Sequence, residues 1–230
     1  MFGSILFQQL YNIADSLVAG KLIGENALAA VGNSYEITLI FIAFAFGCNI
    51  GCSVIVSRYF GAKDWESLEK AIHTTVALGL AAGAVLTVVG VILTPQILHW
   101  MGTPEDVIGN SVAYFRTYFF GSIAVVMYNV GASILQSVGN SRSPMKYLIT
   151  ASLINIVLDL LFIGVLGYGV AAAAFATIIS QSVSAILAFS KLMRSKEAWA
   201  VSWRKVRFDG PMLHGVISVS YTHLRAHETT

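Results

Sequence analysis

Long apolar runs separated by short polar stretches organise this chain. Six runs stand out, at residues 2–22, 34–57, 71–98, 109–138, 145–166 and 168–192. A helix needs about 20 mostly apolar residues to cross the hydrocarbon core of a bilayer. Each run therefore predicts one membrane-spanning helix, the first of them truncated at its start. Barrel strands need only about half that length, and in lipid a helix satisfies its backbone groups within one segment. The predicted fold class is all-α, a polytopic bundle of six transmembrane helices. Small residues such as Ala81-Ala82-Gly83-Ala84 and Ala171-Ala172-Ala173-Ala174 allow close helix contact. Pro95 and Pro104 fall near one end of the third run and read as end punctuation. Gly167-Tyr168-Gly169 predicts a tight turn between the fifth and sixth.

The connections alternate in charge. Arg58, Lys63 and Lys70 precede the third run, Arg142 and Lys146 open the fifth, and Lys191, Arg194, Lys196, Arg204, Lys205 and Arg207 follow the sixth. Eleven of the fourteen Lys and Arg thus share one side. The other side holds Lys21 and the acidic pair Glu105 and Asp106. The positive-inside rule makes the basic side cytoplasmic, and with it the amino terminus.

Composition sharpens this picture. The chain is 56% hydrophobic, 11% charged and has a mean hydropathy of +0.73. A soluble domain carries about a quarter charged residues, so the lipid bilayer is the expected partner. A net charge of +2 over 230 residues argues against a nucleic-acid partner. Cys48 and Cys52 lie in an apolar run and read as small buried residues, not a disulfide framework. The beginning lacks the basic segment of a signal peptide. Residues 1–193 are read as a six-helix lobe, 194–209 as a polar cytoplasmic connector and 210–220 as the start of a further apolar segment. Residues 221–230 resemble a translated sequencing-adaptor tail, so His223 and His227 are not read as metal ligands.

Two carboxylates, Asp15 and Asp159, fall inside predicted spans. A charge at bilayer depth costs about 2.5–3.5 kcal/mol even on insertion scales, so it faces a cavity or a partner. At about 1.5 Å per residue, Asp15 lies about 9 Å before Lys21 and Asp159 about 12 Å before Gly167, a matched depth. Gln8, Tyr11, Asn12 and Asp15 share one face of the first helix. Asn155 and Asp159 are one turn apart on the fifth. Thr177 on the sixth reaches the same level, with Gln181 a turn deeper. Oxygen-bearing groups from three helices suit a proton or a hard cation, with Na+ the possible metal. Asn129 is an intramembrane candidate nearer the cytoplasm. Glu36 and Arg116 are read as snorkelling or mutually paired, and His73 as interfacial.

These residues resemble a known family. Gln8-Gln9-Leu10-Tyr11-Asn12-Ile13-Ala14-Asp15-Ser16 with Ala27-Leu28-Ala29-Ala30-Val31-Gly32, and Val56-Ser57-Arg58-Tyr59-Phe60-Gly61-Ala62, are similar to the first two spans of multidrug and toxic compound extrusion (MATE) transporters. Ile134-Leu135-Gln136-Ser137-Val138-Gly139-Asn140 with Pro144-Met145, and Asn155-Ile156-Val157-Leu158-Asp159, resemble the fourth and fifth. Gln136 stands where that family often has Arg. The resemblance covers nearly all of residues 1–220 and implies one lobe of a twelve-helix inner-membrane protein, the second lobe lying elsewhere in the full chain. It implies an antiporter, not an enzyme, exporting small organic and often cationic compounds against H+ or Na+, with no cofactor besides that ion. It also implies that Asp15, Asn155, Asp159 and Thr177 form the cation-coupling site, and Gln8, Tyr11, Asn12, Asn129 and Gln181 remain candidates to line the substrate cavity. A lipid-linked oligosaccharide flippase of the same superfamily is an alternative, disfavoured because the spans hold almost no Lys or Arg. An intramembrane aspartyl protease is a weaker one, since Asp159 lacks the Gly-Xaa-Gly-Asp context.

Overall fold

The computed structural model describes residues 51–216 and 218. The first predicted span with Gln8, Tyr11, Asn12 and Asp15, most of the second with Glu36 and Cys48, and the tail 221–230 lie outside these residues. Helix α1 covers 51–61 and closes the second apolar run. Helix α2, Trp65–Trp100, carries the third. Asp64 caps it, accepting from the Ser67 N–H at 3.1 Å. Hydrogen bonds from Ser67 hold the Asp64 carboxyl below the usual carboxylate range.

The fourth run departs from expectation. It forms two helices, α3 (Glu105–Phe120) and α4 (Ser122–Ser137), bent by 46° at Gly121. Pro95 departs as well, because it lies inside α2 instead of ending it. Its ring has no N–H to give Val91 one turn back. The helix continues, and the neighbouring Thr94 hydroxyl bonds the Gly90 carbonyl, the kind of side-chain support that lets proline stay inside membrane helices. Pro104 does punctuate, at the start of α3.

Helix α5, Arg142–Asp159, runs directly into a π-helical turn, Leu160–Val165. The tight turn expected at 167–169 is present, with Gly167 at φ +66°, a value glycine adopts at little cost. Helix α6 then spans Ala171–Met193. By length and hydropathy α2, α5 with its π turn, and α6 each suffice to cross a membrane, and the bent α3–α4 pair makes a fourth crossing if it is one span.

Helix α6 packs against α3, α4 and α5, while α2 packs against α3 and α4. The close approach is built on small residues. Gly79 sits against Val130, Gly90 against Phe119, and Ala173, Ala174, Ala176 and Ala188 of α6 are fully or almost fully buried. Outward, Val85, Val88, Ile92, Leu153, Val157 and Ile186 are exposed. Such exposed apolar side chains are a liability in water and the natural boundary of a helix bundle in lipid. Cys52 is buried, as expected.

At the basic end the segment 194–209 folds back beneath the helices. The Val201 N–H donates to Leu192 O at 3.2 Å, and Trp203 stacks on Phe189 at 5.4 Å. His73 is buried here, not interfacial. Its Nε2 accepts from the Ser202 N–H at 3.1 Å, so Nδ1 carries the proton and donates to Glu69 O at 2.7 Å. Next to it, Thr74 Oγ1 accepts from the Asp209 N–H at 3.2 Å. A His73→Phe substitution fills the space but removes the acceptor. We expect the Ser202 amide to exchange hydrogen about fivefold faster, the equivalent of one net hydrogen bond of about 1 kcal/mol. Hydrogen–deuterium exchange by mass spectrometry reads this directly, and an unchanged rate would show that the ring does not hold the segment.

Candidate buried polar site

Polar side chains inside the bundle collect where α5 meets α6. On α5, Leu148, Ala151, Ser152, Asn155 and Asp159 are buried, a face repeated at intervals of three and four. On α6 the matching face is Ala173, Ala176, Thr177, Ser180 and Ser184. Asn155 and Asp159 are both 0% exposed and Thr177 is 6% exposed. Burial this complete demands partners, because an unpaired buried polar group costs about 1–3 kcal/mol and a charged one more.

The partners are each other. With Asp159 ionised, the Asn155 amide must turn its NH2 towards the carboxylate. Nδ2 then donates to Asp159 Oδ2 at 2.9 Å, and Oδ1 accepts from the Thr177 N–H at 3.2 Å. Turned by 180°, the same amide places Nδ2 3.4 Å from Thr177 Oγ1 and its own oxygen against the carboxylate. Two acceptors then meet at Asp159 and two donors at the Thr177 N–H, so the first orientation is the one that satisfies both ends. Thr177 Oγ1 donates to Ala173 O at 3.1 Å, leaving its lone pairs to face Asn155.

The backbone next to Asp159 is unusual. The α-helix ends at this residue and the π turn begins, closed by Leu166 N–H to Leu161 O at 2.9 Å. A π turn widens the helix and rotates the residues beyond it, and such turns recur at functional sites. Here the wide turn separates a fully buried carboxylate from exposed Leu160 and Leu161.

The structure therefore brings Asn155, Asp159 and Thr177 together as predicted. Gln181 lies one turn further along α6, half-buried, and its Oε1 is a buried atom with no hydrogen bond among the described residues. Asn129 stands apart from this network on α4, its amide donating to Val125 O at 2.8 Å. Arg116 is exposed on α3. Asp15, Gln8, Tyr11 and Asn12 lie outside the described residues.

Several polar residues went unread in the sequence. Ser180 donates to Thr177 O at 2.8 Å, Ser184 to Tyr147 O at 3.0 Å, and Tyr128 to Pro144 O at 3.0 Å. Thr177, Ser180 and Ser184 follow one another at steps of three and four, so the pattern was there to be found. It is quiet because a lone serine in an apolar helix is cheap: it bonds its own backbone, as Ser182 does with Ile178 O at 2.7 Å.

Comparison with known proteins agrees with this architecture. The MatE family profile matches residues 1–161. A probable multidrug resistance protein, YoeA of Bacillus subtilis, is 32% identical over 197 residues, which is 84% of this chain and 42% of that protein. Two solved structures of a multidrug resistance MATE family transporter of the MOP superfamily superpose well. The outward-facing conformation gives a TM-score of 0.87 at 28% identity, covering 97% of this chain and 51% of that one. The inward-facing conformation gives 0.85 at 29% identity, covering 93% and 49%. The chain spans about half the length of the proteins it matches. With its apolar helices, small-residue packing and intramembrane carboxylate, it belongs to the MATE family of membrane transporters.

Proposed function

We propose that this chain is the amino-terminal lobe of a twelve-helix inner-membrane antiporter that exports small organic, often cationic, compounds in exchange for H+ or Na+. The observation that carries the proposal is the Asp159–Asn155–Thr177 cluster, a fully buried carboxylate bridged to a second helix within an apolar bundle. A carboxylate at this depth is expensive unless its charge is used. Carboxylate, amide and hydroxyl oxygens are the ligands a hard cation prefers, and the carboxylate alone accepts a proton. Asp15, on the first span, is assigned to the same site by its matched depth. Gln181, one turn deeper, is assigned to the cavity that receives the exported compound, with Gln8, Tyr11, Asn12 and Asn129.

Export rather than import rests on the relative named for multidrug resistance. The similar fit of this lobe to outward- and inward-facing structures supports a lobe that moves as one body while the cavity changes sides. A flippase for lipid-linked sugars needs a cationic cleft, and the buried side chains among the described residues include no Lys or Arg. The protease alternative falls with the family, which is one of transporters.

The test is reconstitution of the full-length protein in vesicles loaded with a fluorescent organic cation. An imposed gradient of protons or of sodium should drive the compound uphill, at least about tenfold faster than without a gradient. Flux that ignores both gradients would remove the antiport reading.

A further inference from the structure

At the basic end, the polar first turns of α2 and the segment 194–209 enclose a cavity of about 270 Å³, to which the segment contributes Arg204, Lys205, Arg207 and Asp209. Most of the charges around it are already engaged. Lys70 Nζ donates to Glu66 at 2.7 Å, and Lys205 Nζ donates to Glu69. Asp209 Oδ1 accepts from the Met212 N–H at 3.2 Å. His73 is neutral, because its Nε2 accepts from the Ser202 N–H. Arg204 and Arg207 remain: both are exposed, and neither forms an ion pair among the described residues. The lining holds four basic groups and three carboxylates, an excess of one positive charge. A phosphodiester carries one negative charge, and its two free oxygens match the fork of a guanidinium.

Position in the membrane selects the source of that phosphate. The apolar run of α2 begins at Ala71, and the cavity wall reaches from Glu66 to Thr74, across that boundary. Glu66 precedes Ala71 by five residues, about 7.5 Å along the helix. The headgroup layer on each side of a bilayer is about 5–8 Å thick. Trp65 and Trp203, each next in sequence to a lining residue, are exposed at this level, where amphipathic rings settle. Lys70 and Thr74 share one face of α2 with Ala81, Val85 and Val88, and these last three are exposed further up the helix. The cavity is smaller than the about 300–1,000 Å³ that takes a drug-sized molecule, so it suits a headgroup better than an exported compound. We propose that it binds the phosphodiester headgroup of an anionic phospholipid, with Arg204 and Arg207 as ligands and the acyl chains lying along Ala81, Val85 and Val88 of α2. Anionic lipids are the membrane component that clusters of Lys and Arg beside a span attract.

Native mass spectrometry of the full-length protein in detergent tests this with short-chain lipids. Dioctanoyl phosphatidylglycerol should bind at least about tenfold more tightly than dioctanoyl phosphatidylcholine, whose choline cancels the charge, or glycerol phosphate, which lacks the chains. Arg204→Gln combined with Arg207→Gln should weaken the tightest phosphatidylglycerol site about 25-fold, about fivefold for each guanidinium. Arg142→Gln combined with Lys146→Gln removes the same charge from the same end of the bundle, outside the cavity, and should leave that site unchanged. Equal losses in the two double variants would show diffuse attraction to the basic end and overturn the site. Glycerol phosphate or phosphatidylcholine bound as tightly as phosphatidylglycerol would overturn the anionic lipid as its occupant. In the wild-type protein, a phosphatidylglycerol with a photoreactive headgroup should label residues 203–209 or the first turns of α2. That measurement needs no altered residue and stands if the arginine variant fails to fold; labelling confined to other segments overturns the proposal. None of these readouts involves transport, so flux that ignores both gradients would remove the antiport reading and leave the lipid site standing.

Discussion

Replacing Gly121 with alanine should lower export by the full-length protein about 10- to 100-fold, although the residue touches none of the proposed coupling groups. A Cβ at Gly121 would lie 2.1 Å from Ile178 Cγ1 and 2.7 Å from Cγ2 and Cδ1. Isoleucine branches at Cβ, so one rotation cannot move both branches away. The remaining response is for α6 to retreat from the bend between α3 and α4. Gly→Ala in a helical setting gains up to about 1 kcal/mol, whereas overpacking costs about 1–3 kcal/mol, so a net loss of stability is expected. The larger effect is on function. Ile178 follows Thr177, whose contacts to Asn155 are only 3.2 and 3.4 Å long. A misplacement of about 1 Å at such a site costs about 100-fold in rate. Adding Ile178→Ala should restore part of the export, because it empties the space that the new methyl needs. Drug-resistance assays on the single and double variants check this, and a double variant no better than Gly121→Ala alone would show that the collision is not the cause.

The bend at Gly121 was also the least legible part of the fold. Residues 109–138 read as one apolar run because composition does not mark the break. A glycine in a membrane helix usually signals close packing, and only the position of Ile178 on another helix shows what this one is for. Pro95 misled in the opposite direction. It looks like a terminator, yet the helix runs on to Trp100 with Thr94 bonding the Gly90 carbonyl. Helix α2 also starts earlier than the apolar run, at Trp65. Its first turns are polar, Glu66, Glu69 and Lys70, and project past the hydrocarbon where hydropathy no longer follows the helix.

The buried polar cluster was legible for a physical reason. Lipid penalises polar side chains so heavily that each one inside a span stands out, and the fixed rise of a helix turns sequence position into depth. That was enough to group Asn155 and Asp159 with Thr177 before any contact was known. It was not enough to find the π turn after Asp159. Leu160-Leu161-Phe162-Ile163-Gly164-Val165 is apolar throughout, so a change of helical period leaves no trace in it. His73 escaped for a related reason. A histidine at a span end reads as interfacial until the segment that buries it, with Ser202, is placed beneath the bundle.

Asp159→Asn separates the fold from the function most sharply. The amide has the same shape as the carboxylate, and its oxygen can still accept from the Asn155 NH2. Stability should therefore change by no more than about 1 kcal/mol, one net hydrogen bond. Export should nevertheless fall about 100-fold or more. An ion gradient does work only through a site whose occupancy differs between conformations, and a permanently neutral side chain offers neither a proton to release nor a charge to hold a cation. Asp159→Leu gives the complementary result. It loses export equally, but it also strands the Asn155 amide in an apolar contact and costs about 1–3 kcal/mol, depending on how far the amide finds other partners. Unfolding in detergent and drug-resistance assays on the same two variants distinguish these outcomes. An Asp159→Asn transporter that is stable and still exports at the wild-type rate would leave the buried carboxylate without the role proposed for it.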